Sequence, residues 1–258
     1  MNDSAKNDVR KVPAVTLAFW VIKILATTLG ETGGDAVSMS MNLGYVTASI
    51  IFIVIFAAVV AAQIAAKSFQ PFLYWAVIVA TTTLGTTLAD FTDRSLGIGY
   101  AGGSSLLFIL LMVSLGIWYK SAGSVSVETI TSPKVEMFYW GTILFSQTLG
   151  TALGDWVADT NRLGYERGAL VFGAGLALVA AAYLFTNVSR TLLFWAAFIL
   201  TRPLGATLGD LLDKPVDHGG FAFSRYTASG ILVALIIACI LFLPQKAGSH
   251  PGLGQKAS

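Results

Sequence analysis

The chain of 258 residues has one cysteine, two histidines and seven prolines, and only 12% of its residues are charged. Cys239 lies in an apolar run, so neither an intrachain disulfide nor a cysteine-based metal site is available. A soluble domain carries about 25% charged residues. Half that complement excludes a disordered chain, a nucleic-acid binder and an ordinary cytosolic enzyme. The net charge of +2 is too small to call for a polyanionic partner. Gly-x-Ser-x-Gly, His-Glu-x-x-His, a phosphate-cradling Gly-Lys-Ser/Thr and paired haem histidines are all missing, so no enzymatic activity is expected.

What the chain has instead is apolar length. Its mean hydropathy is +0.73, and a helix needs about 20 mostly apolar residues to cross a bilayer. Charge-free runs of that order occupy 43–66, 71–89, 95–119, 137–154, 168–189 and 226–245. Two more, 12–30 and 191–209, carry one internal charge each, Lys23 and Arg202. The expected class is all-α, a polytopic membrane bundle of eight transmembrane helices. The expected divisions are a cytoplasmic N-terminal segment 1–13, a first half 14–119, a linker 120–135, a second half 136–244 and a disordered cytoplasmic tail 245–258.

Basic residues set the expected orientation. Lys6, Arg10, Lys11, Lys67, Lys120, Lys134, Arg190, Lys246 and Lys256 fall on one side of such a bundle, against Arg94, Arg162, Arg167, Lys214 and Arg225 on the other. The positive-inside rule places both termini in the cytoplasm. Asp3, Asp8, Glu128 and Glu136 lie inside and the remaining acids toward the outside, so the outer face favours cations.

Four segments align without gaps: Phe19-Trp20, Tyr74-Trp75, Tyr139-Trp140 and Phe194-Trp195 each open the pattern aromatic-Trp-x8-Leu-Gly-x4-Asp. The Trp-to-Trp steps are 55, 65 and 55 residues, which predicts two pseudo-symmetric halves built from four parallel two-helix hairpins. Counting from each Trp, positions +10 and +14 are Gly30 and Gly34, Gly85 and Ala89, Gly150 and Gly154, Gly205 and Gly209. That is the small-xxx-small spacing of close helix packing. Positions +7, +11 and +15 share one helical stripe. They hold Thr27, Glu31 and Asp35; Thr82, Thr86 and Asp90; Gln147, Thr151 and Asp155; and Arg202, Ala206 and Asp210. At +18 the stripe continues with Ser38, Asp93, Ala158 and Asp213. A polar stripe beside a small-residue stripe predicts an inner ring of motif helices around an outward-opening polar cavity, with the plain helices facing lipid.

The fourfold pattern resembles the bacterial family of uncharacterised membrane-anchored proteins built from a repeat of unknown function. The resemblance spans Trp20 to about Arg225 and implies a multi-pass protein of the bacterial cytoplasmic (inner) membrane; it brings no assigned catalytic residues. The segment Leu29-Gly30-Glu31-Thr32-Gly33-Gly34-Asp35 is loosely similar to the Glu-x-Gly-Asp motif of manganese/calcium exchangers. It departs by an extra Gly and by lacking the Lys/Arg-Ser/Thr that follows the Asp.

The leading expectation is a transporter of a small cation, divalent cations included, with Glu31, Asp35, Asp90, Asp155, Asp210, Thr82, Gln147, Thr151 and Arg202 as candidate binding residues. Oxygen ligands suit hard cations such as Mg²⁺, Ca²⁺ or Mn²⁺. No cofactor is expected apart from such an ion, and the partners are the bilayer and the cation. The alternative is a non-transporting scaffold or sensor whose motifs are packing and capping devices. An outer-face enzyme with metal-holding aspartates stands third. Arg202 is expected to pair with Glu31, Pro203 to kink its helix, Lys23 to snorkel to the cytoplasmic interface, and His218 to sit in a solvated loop.

Overall fold

The computed structural model describes residues 11–127, 130, 132–160 and 163–248. Expectations that fall on 1–10, Glu128, Arg162, 249–258 and the His218 side chain lie outside the described residues. Eight helices carry the described chain: α1 (Leu17–Asp35), α2 (Gly44–Ala65), α3 (Pro71–Asp90), α4 (Gly99–Ala122), α5 (Pro133–Asp155), α6 (Gly164–Phe185), α7 (Arg190–Asp213) and α8 (Arg225–Phe242). Thr16, Ser132 and Ser189 cap α1, α5 and α7 by accepting from the amides of Phe19, Val135 and Leu192, and Pro71 and Pro133 occupy first-turn positions where no amide is needed.

The odd-numbered helices carry the motifs and close into a ring: α1 packs on α3, α3 on α5, α5 on α7, and α7 back on α1. The same contacts recur at each seam. At the N-terminal ends, Phe19 meets Trp75 at 5.4 Å, Tyr74 meets Trp140 at 5.6 Å, Tyr139 meets Trp195 at 6.5 Å, and Phe194 meets Trp20 at 5.9 Å between ring centroids. Half-way along, the +10 glycine of each helix lies against the +7 residue of the next: Gly30 on Thr82, Gly85 on Gln147, Gly150 on Arg202 and Gly205 on Thr27. One turn further, Gly34 lies on Thr86, Gly154 on Ala206 and Gly209 on Glu31. A Cβ at Gly209 would come within 2.6 Å of Glu31 Cβ, so only a missing side chain permits this approach. Because equal levels meet equal levels, the four motif helices run parallel.

After Asp35, Asp90 and Asp155 the chain passes through a π-helical turn (Ala36–Ser40, Phe91–Ser95 and Trp156–Thr160). It then turns back at Gly44, Gly99 and Gly164, with φ between 66° and 74°. In the fourth repeat Gly219 holds φ 85° at the corresponding position, the left-handed region that glycine enters freely.

The even-numbered helices form an outer layer, but they do not pair within their own repeat. α2 packs on α3, α4 on α5, α6 on α7, and α8 returns to α1. The short connections explain this, since 66–70 and 186–189 reach only a neighbouring helix. The outer helices expose Ile50, Val54, Leu110, Leu178, Leu184 and Phe242, far more apolar surface than water tolerates. Among the described residues, six helices are long and apolar enough to cross a membrane: α2, α3 with its π turn, α4, α6, α7 and α8. The sequence-based count of spans was eight; α1 and α5 carry Lys23, Glu31, Asp35 and Lys134, Glu136, Asp155, and they run in the ring beside α3 and α7.

Two boundaries differ from expectation. Residues 245–248 are not free tail: Ala14 N–H donates to Lys246 O and Gly248 N–H to Val12 O, both at 2.9 Å, and Trp75 Nε1 donates to Gln245. In the linker, Val127 and Ile130 are buried and Val125 O accepts from Trp195 Nε1 at 3.0 Å. Both segments cover the aromatic end of the ring.

Candidate functional site: a charged axis inside the ring

Four consecutive levels of the stripe are buried in every repeat. At +7, Thr27, Thr82, Gln147 and Arg202 are all fully buried. Thr27 Oγ1 donates to Thr201 O across the α1–α7 seam at 3.1 Å, and Thr82 Oγ1 to Ala26 O across α1–α3 at 3.2 Å. The threonines therefore lock helices together. Thr151 Oγ1 stays on its own helix, bonded to Gln147 O. Pro203 sits inside a continuous α7, where it takes one amide from the ladder.

Arg202 crosses the interior. Its Nη2 lies 3.0 Å from Glu31 Oε2 and donates to Thr86 Oγ1 at 2.6 Å, and its Nη1 reaches Thr27 O at 3.4 Å. Glu31 in turn is within 3.3 Å of Thr86 Oγ1. An ion pair with so little water access depends on such extra bonds, since desolvating two charges costs several kcal/mol each.

Lys23 is the residue that sequence reasoning misplaced. It does not snorkel: it is fully buried, one turn below the +7 level. Its Nζ has Gln147 Oε1 at 3.4 Å and the Phe198 ring at 4.1 Å. No carboxylate pairs with it among the described residues. A cation–π contact contributes up to about 2 kcal/mol, whereas stripping an ammonium of water costs several. Gln147 is thereby turned toward Lys23 and away from the carboxyl groups. The phase +3, +7, +11, +15 contained this position all along, and only the assumption that a lysine near a helix start reaches water hid it.

The C-terminal end of the ring gathers acids. Glu31, Asp35, Asp90, Asp93, Asp155, Asp210 and Asp213 are all buried. Lys214 Nζ bridges Asp35 Oδ2 at 2.7 Å and Asp210 Oδ1 at 3.0 Å. Arg94 bridges Asp90 at 3.2 Å and Asp155 at 3.5 Å, and Arg225 pairs with Asp213 at 3.1 Å. Arg94 and Lys214 stand four residues after Asp90 and Asp210, a spacing that favours ion pairs. With Arg202, four basic groups face seven carboxyls, leaving three negative charges if all ionise. Burial works against the Lys214 ammonium, but the carboxylates of Asp210, Asp35 and Asp213 outweigh it and hold its pKa well above the usual lysine range.

One oxygen each from Glu31, Asp35 and Asp210 lies within 4.8 Å of the others, and Asp35 Oδ1 has no hydrogen-bond partner among the described residues. Hard cations take such oxygens. Asp90 and Asp155 lie at the same level but on the Arg94 side of the ring.

A buried charged axis inside an apolar shell defines a helical membrane protein assembled from an internal repeat. The family described as Repeat of Unknown Function (DUF347) matches it four times, over residues 18–69, 73–124, 138–189 and 193–244. The chain belongs to that family. No curated protein and no solved structure matches it.

Proposed function

We propose that the chain is a multi-pass transporter of a small cation, a divalent one included, in a bacterial cytoplasmic membrane. In this reading all eight helices cross the bilayer, the four repeats stand around one axis as two pseudo-symmetric halves, the Asp ends face outward and both termini are cytoplasmic. The chemistry is binding and release, with no covalent catalysis.

The observation that carries the reading is the Glu31, Asp35 and Asp210 group with Lys214 as its tethered counter-ion. A lysine ammonium is a single charge on a flexible stem. An arriving cation takes its place at Asp35 and Asp210, and the ammonium swings toward water; departure of the cation lets it return. Exchange of this kind avoids leaving carboxylates bare at any stage. Glu31, one turn deeper, would receive the cation only when Arg202 yields.

The test is uptake of Mg²⁺, Ca²⁺, Mn²⁺ and Na⁺ into proteoliposomes, with Glu31→Gln and Asp35→Asn as controls. Uptake of at least one ion that falls at least tenfold in both variants supports the reading; equal uptake by wild type and variants removes the site.

A second reading, a non-transporting scaffold or sensor, draws on the filled axis: the long side chains of Lys23 and Arg202 are fully buried in it, and Tyr74 and Tyr139 close the aromatic end with hydroxyls 2.8 Å apart. Absence of flux for every ion in the panel, from protein that keeps its folded state, favours it.

A further inference from the structure

We infer that a groove between α1, α6 and α7 holds one anionic glycerophospholipid, with its phosphate on Arg190 and an acyl chain against Trp20. The inference goes beyond the transport reading and needs only that the chain stands in a bilayer.

The groove has a volume of about 570 Å³, and its walls include Trp20, Ile24, Val179, Ala180, Ala197 and Thr201. Arg190, the first residue of α7, stands at its mouth. Thr201 follows Arg190 by eleven residues, about 16 Å of helix. That is the depth of one leaflet, half of a hydrocarbon core about 30 Å thick.

The mouth carries a charge that the chain leaves unbalanced. Arg190 Nη1 donates to Tyr183 O, and the guanidinium lies over the Tyr183 ring at 4.2 Å. Among the described residues, Nε and Nη2 meet no acceptor and no carboxylate pairs with Arg190.

The repeat supplies its own comparison. Trp20 and Trp140 are 120 residues apart, and by that step Tyr183 corresponds to Gln63 and Thr16 to Glu136. At the end of α2, Lys11 Nζ donates to the carbonyls of Gln63 and Ile64, and Glu136 balances it at 2.9 Å. At the end of α6 the cation on the matching carbonyl is Arg190. The position of Glu136 is taken there by Thr16, whose Oγ1 caps α1. One mouth therefore contains a closed ion pair, and the other lacks its anion. Lys246 adds positive charge: its carbonyl accepts from Ala14 N–H at 2.9 Å, beside Val15 in the groove wall, and the residue is exposed.

A phosphodiester supplies the missing charge, and the planar guanidinium fork suits two of its oxygens. Basic pockets between membrane helices on the cytoplasmic side take anionic headgroups in this way.

Lipids with brominated acyl chains quench a tryptophan that they touch. The protein is therefore reconstituted in phosphatidylcholine vesicles containing a small fraction of brominated phosphatidylglycerol or of brominated phosphatidylcholine. The expected result is stronger quenching by phosphatidylglycerol, an excess that disappears in Trp20→Phe. Arg190→Gln installs the residue type found at the matching position, Gln70. It lowers the preference about fivefold, the effect of one arginine near anionic lipid. Equal quenching by the two lipids, or an undiminished preference in Arg190→Gln, overturns the inference. Native mass spectrometry gives a second readout that needs no tryptophan variant. Wild type retains phosphatidylglycerol over phosphatidylcholine, whereas Arg190→Gln and the groove-filling Ala180→Phe release it; retention by Ala180→Phe would put the lipid elsewhere and also overturn the inference. Absence of cation flux in the wild-type protein would defeat the transport reading while leaving this lipid preference standing.

Discussion

Glu31→Gln removes the only carboxylate paired with Arg202 among the described residues. The guanidinium is fully buried and Glu31 is 3% exposed, so water does not replace the lost charge. Breaking a buried pair from one side costs about 3–5 kcal/mol. Arg202 retains Thr86 Oγ1 at 2.6 Å and Thr27 O at 3.4 Å, and Gln keeps an oxygen acceptor, which places the loss near 3 kcal/mol. At about 2–4 °C per kcal/mol for a chain of this size, the unfolding midpoint falls by about 6–12 °C. Tryptophan fluorescence in detergent reads it, since four of the six tryptophans, Trp75, Trp118, Trp140 and Trp195, are buried at the aromatic end. The double variant Glu31→Gln/Arg202→Met is the decisive comparison. Met keeps the Cβ and Cγ that touch Gly150 and removes the stranded charge, so the double variant recovers at least about 2 kcal/mol relative to the sum of the singles. Additive losses would refute the idea that Glu31 stabilises by neutralising Arg202.

Gly209→Ala brings a Cβ to 2.6 Å from Glu31 Cβ and destabilises by about 1–3 kcal/mol, whereas Gly116→Ala and Gly173→Ala meet nothing within 4 Å and stabilise slightly through helix propensity; thermal midpoints separate the two groups. Lys214→Gln lowers stability because Asp35 and Asp210 lose their nearest cation. The pKa of Lys214 is raised in the folded state, so its contribution is complete below the ordinary lysine value near 10.4 and is lost as pH rises through the folded value. The deficit of Lys214→Gln is therefore constant from about pH 7 to 9 and narrows only above about pH 10.4, as denaturation at each pH will test.

Much of the fold could be read from the repeat because one motif did three jobs at fixed spacing. Trp at the start, Gly at +10 and Asp at +15 predicted one unit used four times, and parallel motif helices followed from an even number of helices per unit. The pairing of α2 with α3, rather than with α1, was not legible: hydropathy marks α2 as an outer helix without saying which neighbour it covers, and that is decided by the short segment 66–70. The acidic end was legible as a set of carboxyls at one depth. Its basic partners were not, because Arg94, Lys214 and Arg225 were read as loop charges, whereas each folds back onto buried acids. The filled axis was also missed. Sequence spacing gave a polar stripe, but the volume of Arg202 and Lys23 decides whether that stripe encloses space or occupies it.

Closure of the repeats into one ring is the proposition on which the site depends, and α8 lying on α1 is its signature. Thr32 Oγ1 and Ser229 Oγ are 2.9 Å apart across that seam, 197 residues apart in sequence. With Cys239→Ser as background, Thr32→Cys/Ser229→Cys is expected to form an intrachain disulfide under mild oxidation in intact membranes, visible as a mobility shift that reductant reverses. Persistence of two free thiols, with either single cysteine still accessible to a membrane-permeant reagent, would mean that the first and last repeats do not meet.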